Sequence, residues 1–369
     1  MLESIKVINV GFGDSFILNG NVSKEKYKIL VDCGTKNSID PRVITLVNSS
    51  LSKTVSYGIL SHFHDDHYKY LEKLDPNVEE FFLPNYLSPL NVSILVKAYL
   101  LYRNNTSVRK DSETMLRLDK IASCINPKGK LTFISIKKNN PIQIIDEYRV
   151  LSPVKENEKN KKELIKKIDS FFTKQQLVLI SEFSENFLSY LGEGIQYEDV
   201  ISCSIEQANF QKLKNDLLNL EEMIDVQKIK NNFSLTNGIL KNQHKYCIVF
   251  DRTVKNEIPI LFLGDVDKSI YRKSIYPIIR HINYKYVKII HHGTNPYYLE
   301  IYPKSEFFII SNGSYRNWGI SERYPRNNVY RKTKLICTDN NGCIYFNNNK
   351  KTCSRNYCCG LKQLSQVFY

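Results

Sequence analysis

The chain has 369 residues, 42% of them hydrophobic, and is long enough to bury a sizeable core, which excludes intrinsic disorder as its default state. Its formal net charge of +14 favours the approach of polyanions such as nucleic acids. Lys, Asn, Ile and Tyr are abundant together, a pattern that biased coding composition also produces. The sequence leaves both explanations of the charge open.

Membrane-spanning and secreted classes of protein do not fit the sequence. No stretch reaches the roughly 18 uninterrupted apolar residues that cross a bilayer, and the opening residues, MLESIKVINV, do not form a secretory signal. We therefore expect a cytoplasmic protein that does not bind membranes. The nine cysteines are odd in number and scattered, so we expect reduced thiols. Cys353, Cys358 and Cys359 lack the spacing of a zinc ribbon.

The first sixty residues alternate short apolar runs with turn residues, as strands do. The meander predicted there consists of SIKVINV, SFILNG and KYKILVDCG, followed by strands at VSYGILSH and VEEFFLPNY. Between about 91 and 130, apolar residues recur at helical spacing and predict helices. Strand character returns at LTFISI and IQIIDEYRVLSP.

Residues of about 155–230 are rich in Lys, Glu, Asn and Gln and contain amphipathic runs, which predict a helical insertion. The remaining predicted strands are KYCIVFDRT, IPILFLGDV, YVKIIHH, EFFIISNG, KLICTD and GCIYF. Two strand-rich halves separated by helices predict sheets and helices layered around a shared core. We expect one α/β domain over 1–369, with helical insertions at about 91–130 and 155–230.

The segment ILSHFHDDHYKYL places three imidazoles and a carboxylate within six positions, at His62, His64, Asp66 and His67. This ligand set suits zinc, manganese or iron. Side chains at i and i+2 of an extended segment point the same way, so His62 and His64 can share one ion. The following loop can turn Asp66 and His67 toward a neighbouring ion.

Two later segments can complete a metal site, and each follows an apolar strand. Asp265 ends ILFLGDV, where a carboxylate can bridge two metal ions. His291 and His292 end YVKIIHHG, where Gly293 permits close approach of the backbone to a ligand. Five of the seven histidines fall in the two histidine-rich segments, which random scatter would rarely produce.

Together with VGFGDSFIL, ILVDCG, VLSP, NNFSL, IISNGS and ICTDNNGCIYF, in this order along the chain, these segments resemble the metallo-β-lactamase superfamily. The resemblance is closest to the soluble hydrolase domain of ComEC-type DNA-uptake proteins. It implies a four-layer αββα sandwich and one or two bound divalent ions. Zn²⁺ is the favoured ion, and Mn²⁺ is the alternative.

The resemblance also implies a role for each matching residue. His62 and His64 would bind the first ion, and Asp66 and His67 the second. Either His291 or His292 would complete the second site. Asp265 would lie between the two ions. Asp32, in ILVDCG, matches a family aspartate that steadies the metal-bearing loop. The family residue that matches Asp66 often also contacts the nucleophilic water.

The chain departs from the family in three respects. A histidine ligand of the first ion is expected between His67 and Asp265, but only His244 lies there, late for the role. Tyr324 and Pro325 stand where relatives often carry His-Pro, near Tyr315 and Trp318 as further candidates for substrate contact. The lack of membrane helices is incompatible with a DNA-uptake channel.

The resemblance and the basic charge predict a metal-dependent nuclease or phosphodiesterase acting on nucleic acid or a nucleotide. Its catalytic residues would be Asp66 and whichever of His291 and His292 is not a ligand, as the proton donor to the leaving group. One alternative is hydrolysis of a small ester, lactam or thioester, because fold does not fix function. Another, motivated by the missing histidine, is a catalytically idle metal-binding module whose helical insertion recruits a protein partner.

Overall fold

The computed structural model describes residues 1–22, 25–51, 55–102, 107–137, 140–145, 147–154, 162–192, 200–224, 243–294, 302–312, 334–338, 343–347 and 350–354. These residues form two mixed β-sheets with helices, so the predicted α/β class is confirmed.

The first sheet has nine strands in the order β16-β15-β1-β2-β3-β4-β5-β6-β9. Their bounds are β1 (Leu2–Val7), β2 (Ser15–Val22), β3 (Glu25–Cys33), β4 (Val55–Ile59), β5 (Val78–Pro84), β6 (Ile125–Ile134), β9 (Val200–Ser204), β15 (Cys343–Asn347) and β16 (Lys350–Ser354). The pairs β1–β2 and β2–β3 are antiparallel, as predicted for the opening meander. From β3 to β6 the strands run parallel, so their carboxyl ends share one edge.

The second sheet has seven strands in the order β14-β13-β12-β11-β10-β8-β7. Their bounds are β7 (Ile142–Ile144), β8 (Tyr148–Ser152), β10 (Val249–Arg252), β11 (Ile260–Phe262), β12 (Tyr284–Lys288), β13 (Ser305–Ile310) and β14 (Lys334–Cys337). The four strands β11 to β14 are parallel, whereas β7, β8 and β10 pair antiparallel.

The helices are α1 (Pro41–Leu51), α2 (Asp65–Tyr68), α3 (Pro89–Leu101), α4 (Ser107–Leu116), α5 (Asp119–Ala122), α6 (Lys162–Asp169), α7 (Lys174–Ser189), α8 (Phe210–Met223), α9 (Lys268–Ile270) and α10 (Tyr276–Ile279). Local sequence sets where the longer ones begin. Ser88 caps α3 by accepting a hydrogen bond from the backbone N–H of Asn91, and Pro89 takes the first turn. Thr173 and Gln176 form a reciprocal capping box at α7.

Three hydrophobic clusters hold these layers together. One lies between the two sheets, where the Phe262 ring stacks on Phe250 at 5.0 Å and meets Phe16 edge-on at 5.1 Å. The largest joins the other face of the first sheet to α1 and α3–α8. The third joins the second sheet to the helical segment 268–279. Helices therefore cover the outer face of each sheet.

Two strands lie where the sequence predicts helix. β6 begins at Ile125, inside the 91–130 segment, and β9 lies inside the 155–230 segment, so a wholly helical insertion is wrong at both places. In β9, Ile201 and Cys203 are buried while their neighbours Val200 and Ser202 are exposed, the two-residue period of a strand. β9 pairs with β6 and extends the first sheet.

None of the helices in the described part of the chain combines the length and apolar character needed to cross a membrane. Among the described cysteines, five are free and buried: Cys33, Cys124, Cys203, Cys247 and Cys337. Cys343 is disulfide-bonded, so the expectation of reduced thiols is wrong for this residue. The tail residues Cys358 and Cys359, like the side chain of Cys353, lie outside the described part.

Candidate metal centre

The two sheets bring the predicted site residues to one common edge. His62 to His67 follow β4, while Asp265 follows β11 and the His291–His292 pair follows β12. All three strands are parallel strands that end at this edge. The sheets are joined there, because the backbone N–H of Ile248 donates to the Ser61 carbonyl at 2.8 Å. Segments about 200 residues apart in sequence therefore converge on a single cluster.

Asp32, at the end of β3, holds the loop that carries the first histidines. Its carboxylate accepts hydrogen bonds from the Ser61 backbone N–H at 2.6 Å and the Ser61 hydroxyl at 2.7 Å. His67 Nδ1 lies 2.9 Å from the same carboxylate. Asp32 has φ 53°, a left-handed conformation that Asp tolerates better than most residues. The carboxylate therefore holds the loop at Ser61 and His67, which is the role that the family resemblance implies for this position.

Gly34 lets the chain after β3 closely approach the loop that carries His62 to His67. A Cβ atom at Gly34 would lie 2.2 Å from the backbone nitrogen of His67 and 2.3 Å from the carbonyl carbon of Asp66. Gly13 is equally confined, because a Cβ atom there would lie 2.2 Å from the Gly34 carbonyl oxygen and 2.8 Å from the Asp66 carbonyl oxygen. The close approach allows the Asp14 N–H to donate to the Asp66 carbonyl at 2.9 Å.

We expect Gly34→Ala to destabilise the chain by about 1–3 kcal/mol, because the added methyl must displace backbone. It should also weaken metal binding by displacing His67. Urea unfolding with chelator and a Zn²⁺ titration measure the two effects separately. Gly192→Ala is the control for metal binding: its Cβ meets no atom within 4 Å, so it should keep wild-type zinc affinity even though its φ of 118° strains any residue other than glycine. Unchanged zinc affinity in Gly34→Ala would contradict the prediction.

The first group of potential ligands consists of His62, His64 and His244, whose ring nitrogens lie within 4.8 Å of one another. His62 Nε2 faces His64 Nδ1 at 2.9 Å, so both nitrogens point to one place. The expectation that His244 comes too late in the chain is wrong. It lies in the turn Gln243–Lys245 just before β10, and the Gln243 side chain accepts a hydrogen bond from the Phe63 N–H at 3.1 Å.

The second group lies beside the first and contains His67, His292 and three carboxylates. His292 Nε2 is 3.4 Å from Asp66 Oδ2 and 3.5 Å from Asp265 Oδ2, and His67 Nε2 is 3.4 Å from the same Asp265 oxygen. Asp14 Oδ1 lies 3.2 Å from His292 Nδ1. Of the two neighbouring histidines, His292 is thus the one in this group.

His291 occupies a different position from His292. Its side chain is 37% exposed, and its Nε2 lies 3.8 Å from Asp265 Oδ2 on the side of His244. Both histidines have φ near +50°, a left-handed conformation that is uncommon for non-glycine residues. This backbone turn sends consecutive side chains into different groups of potential ligands, although both Nε2 atoms face the same Asp265 oxygen. Such conformations cluster at functional sites.

Three imidazole nitrogens of the centre are buried and lack hydrogen-bond partners: the Nε2 atoms of His67, His244 and His292. The Nδ1–H of His292 donates to the Ser311 carbonyl at 2.9 Å, and Nδ1 of His67 is paired with Asp32. Such outer partners fix the tautomer and leave Nε2 free as a ligand atom. Unpartnered buried nitrogens facing carboxylates fit a bound cation.

The charges of the two groups differ. Burial and the neighbouring His244 lower the pKa of His64 to about 3, and burial lowers that of His244 to about 4. These imidazoles are therefore neutral, the form that binds metals. In the second group burial opposes protonation, but Asp265 and Asp14 raise the pKa of His292 to about 9. The second group thus holds buried carboxylates that require positive charge nearby.

Two charged residues of the centre were not predicted as site residues. Asp14 lies in VGFGDSFIL, a segment that carries the family resemblance, but its role was not foreseen. Lys288, the last residue of β12, is buried with its Nζ 2.5 Å from Asp14 Oδ2. Lysines are almost never fully buried unless they are paired. A lysine within a predicted strand therefore gives no indication in the sequence that its ammonium lies inside a site. The positions 315, 318, 324 and 325, which were expected to contact substrate, lie outside the described residues.

No protein-family model matches the sequence, and no curated protein matches it significantly. Six of the seven histidines fall into groups that can hold a metal ion.

Proposed function

We propose that this chain is a metal-dependent hydrolase of the metallo-β-lactamase fold that cleaves a phosphodiester in nucleic acid or a nucleotide. The observation that carries the proposal is a chain of three overlapping groups of potential metal ligands at one sheet edge, in which His244 links the first group to the third and Asp265 links the third to the second. The helices on the outer face of each sheet support the αββα arrangement, and the order of the motifs along the chain supports the ComEC-type relationship.

The residues present fit one or two divalent ions. His62, His64 and His244 would hold the first, and Asp66, His67 and His292 the second, with Asp265 between them. Imidazole-rich sets favour Zn²⁺, and the carboxylates also suit Mn²⁺. When bound, such ions supply Lewis acidity that lowers the pKa of water and neutralises phosphodiester charge.

The chain's own residues orient the reactants and move protons. Asp66 is held in place by the Lys36 ammonium, which lies 2.9 Å from its Oδ1. Burial alone would raise the pKa of Asp66, but His292, His67 and Lys36 lower it, so it stays an ionised acceptor for a water proton. His291, at the exposed rim and outside the second group, would protonate the leaving alkoxide.

The test is turnover of bis-p-nitrophenyl phosphate with added Zn²⁺ or Mn²⁺. We expect the double variant Asp66→Ala/His67→Ala to lose at least about 10³-fold in kcat, because groups that act as a unit fail together. His281→Ala is the control, since His281 is exposed and is the one histidine outside the centre. Activity that survives the double change would discard the mechanism.

Salt dependence separates a polynucleotide substrate from a small one. Binding that neutralises several phosphates weakens steeply with salt, with a log–log slope of about −0.9 per phosphate on duplex DNA. Cleavage of DNA or RNA should follow this slope, whereas the small phosphodiester should not. A salt-insensitive enzyme would point to the alternative of a small ester, lactam or thioester. The position of His244 beside His62 and His64 favours the hydrolase over the idle-module alternative, which the lack of a histidine at the expected place in the sequence motivates.

A further inference from the structure

Lys288 is a buried cation inside the centre that the proposed mechanism does not use. Its side chain is 1% exposed, and its Nζ lies 2.5 Å from Asp14 Oδ2, 3.4 Å from Asp265 Oδ1 and 3.1 Å from the Gly264 carbonyl oxygen. A buried ammonium is strongly destabilising unless paired. Both acids that pair with it belong to the centre, so its charge acts there.

The two oxygens of Asp265 have different neighbours. Oδ1 faces Lys288, whereas Oδ2 faces the Nε2 atoms of three histidines at 3.4 to 3.8 Å, those of His67, His292 and His291. The ammonium therefore lies on one side of the carboxylate and the imidazoles on the other.

Asp14 connects Lys288 to the second ligand group. One of its oxygens pairs with the ammonium, and the other lies 3.2 Å from His292 Nδ1. Its backbone N–H donates to the carbonyl of Asp66. Lys288 is thus fixed relative to His292 and to the metal-bearing loop, not only to Asp265.

We propose that Lys288, anchored by Asp14, is a positioning residue that occupies one oxygen of Asp265 and leaves Oδ2 as the single atom offered to metal. The inference rests on the proposed function, because it concerns how the same centre holds its ions. It assigns Lys288 to the centre through its charge, with Asp14 as the anchor of that charge beside the second group.

The decisive variant is Asp14→Asn/Lys288→Met. It removes one negative and one positive charge, so the net charge of the centre is unchanged, and Asp265 loses its ammonium neighbour but keeps its three imidazole neighbours. A matched control exists in the helices, where buried Lys97 pairs with Asp169 at 2.6 Å. Lys97→Met/Asp169→Asn removes an ion pair of the same type away from the centre, with Lys97 buried and Asp169 partly exposed.

The full-length apo chains are titrated with Zn²⁺ by calorimetry and with Co²⁺ by visible absorption, and circular dichroism checks the fold. We expect the Asp14/Lys288 variant to bind metal about 10–100-fold more weakly, the usual effect of losing an outer partner. Its Co²⁺ spectrum should change, because both Asp265 oxygens become available. The Lys97/Asp169 variant should keep wild-type affinity and spectrum.

Wild-type affinity and an unaltered Co²⁺ spectrum in the Asp14/Lys288 variant would overturn the inference and leave the proposed function standing. A wild-type chain that binds neither ion would overturn both. If the double variant does not fold, Asp14→Asn alone carries the test, since it keeps the side-chain shape and frees Lys288 from its anchor. An unaltered spectrum in that variant would equally overturn the inference.

Discussion

Replacing Asp265 by Asn should lower metal affinity by more than about 100-fold, which exceeds the usual effect of losing an outer partner. Asp265 is 2% exposed and belongs to two of the three groups of potential metal ligands, one with His67 and His292 and one with His244 and His291. The amide keeps the shape of the side chain but removes the negative charge that faces three imidazoles. Elemental analysis and a Zn²⁺ titration of the purified variant measure the loss, and hydrolysis of the small phosphodiester should fall with it.

The control for this change is Asp267→Asn, two residues farther along the chain. Asp267 caps α9 by accepting a hydrogen bond from the Ser269 N–H at 2.8 Å, and Asn is an equally good cap. The control should therefore bind metal and react as the wild type does. A wild-type zinc content in Asp265→Asn would refute the assignment of Asp265 as the shared ligand.

Asp32→Ala should destabilise the apo chain by about 3–5 kcal/mol, because three buried donor contacts would lose their acceptor. These donors are the Ser61 N–H, the Ser61 hydroxyl and His67 Nδ1. Metal affinity should fall as well, by about 10–100-fold, since the His67 ring loses the partner that orients it. Urea unfolding in the presence of chelator measures the first effect without a contribution from bound metal.

Asp32→Asn is the matched variant for this prediction. It preserves an acceptor for Ser61 and tolerates the left-handed backbone, but its amide group cannot accept from His67. We expect it to lose about 1–3 kcal/mol, the penalty for one unsatisfied buried donor. Equal stability of the Ala and Asn variants would show that these hydrogen bonds do not hold the loop.

Local sequence patterns were enough to predict most strands and the position of the histidine-rich segment His62 to His67. The parallel strands near the centre are apolar runs ended by polar residues, so both their existence and the side chains at their ends are visible in one dimension. Asp265, His291 and His292 were found in this way. β9 was missed because its five residues lie within a long polar region, where only a short alternation marks the strand.

His244 and Lys288 could not be predicted because their roles depend on contacts between distant segments. His244 is brought to His62 by the pairing of the segment before β10 with the loop after β4, and distance along the chain carries no information about that pairing. The burial of Lys288 depends on Asp14, which directly precedes a strand of the other sheet.

Helix α3 is buried on nearly every side, from Asn91 and Val92 through Leu101. It lies in the same apolar cluster as Phe81 and Phe133 of the first sheet and Phe183 and Phe187 of α7. Helix α3 lies in a segment that the sequence predicts as a helical insertion, yet it is part of the largest hydrophobic cluster. Deleting it would expose an apolar sheet face to water and promote aggregation, so a minimal version of this protein would require a redesigned sheet surface.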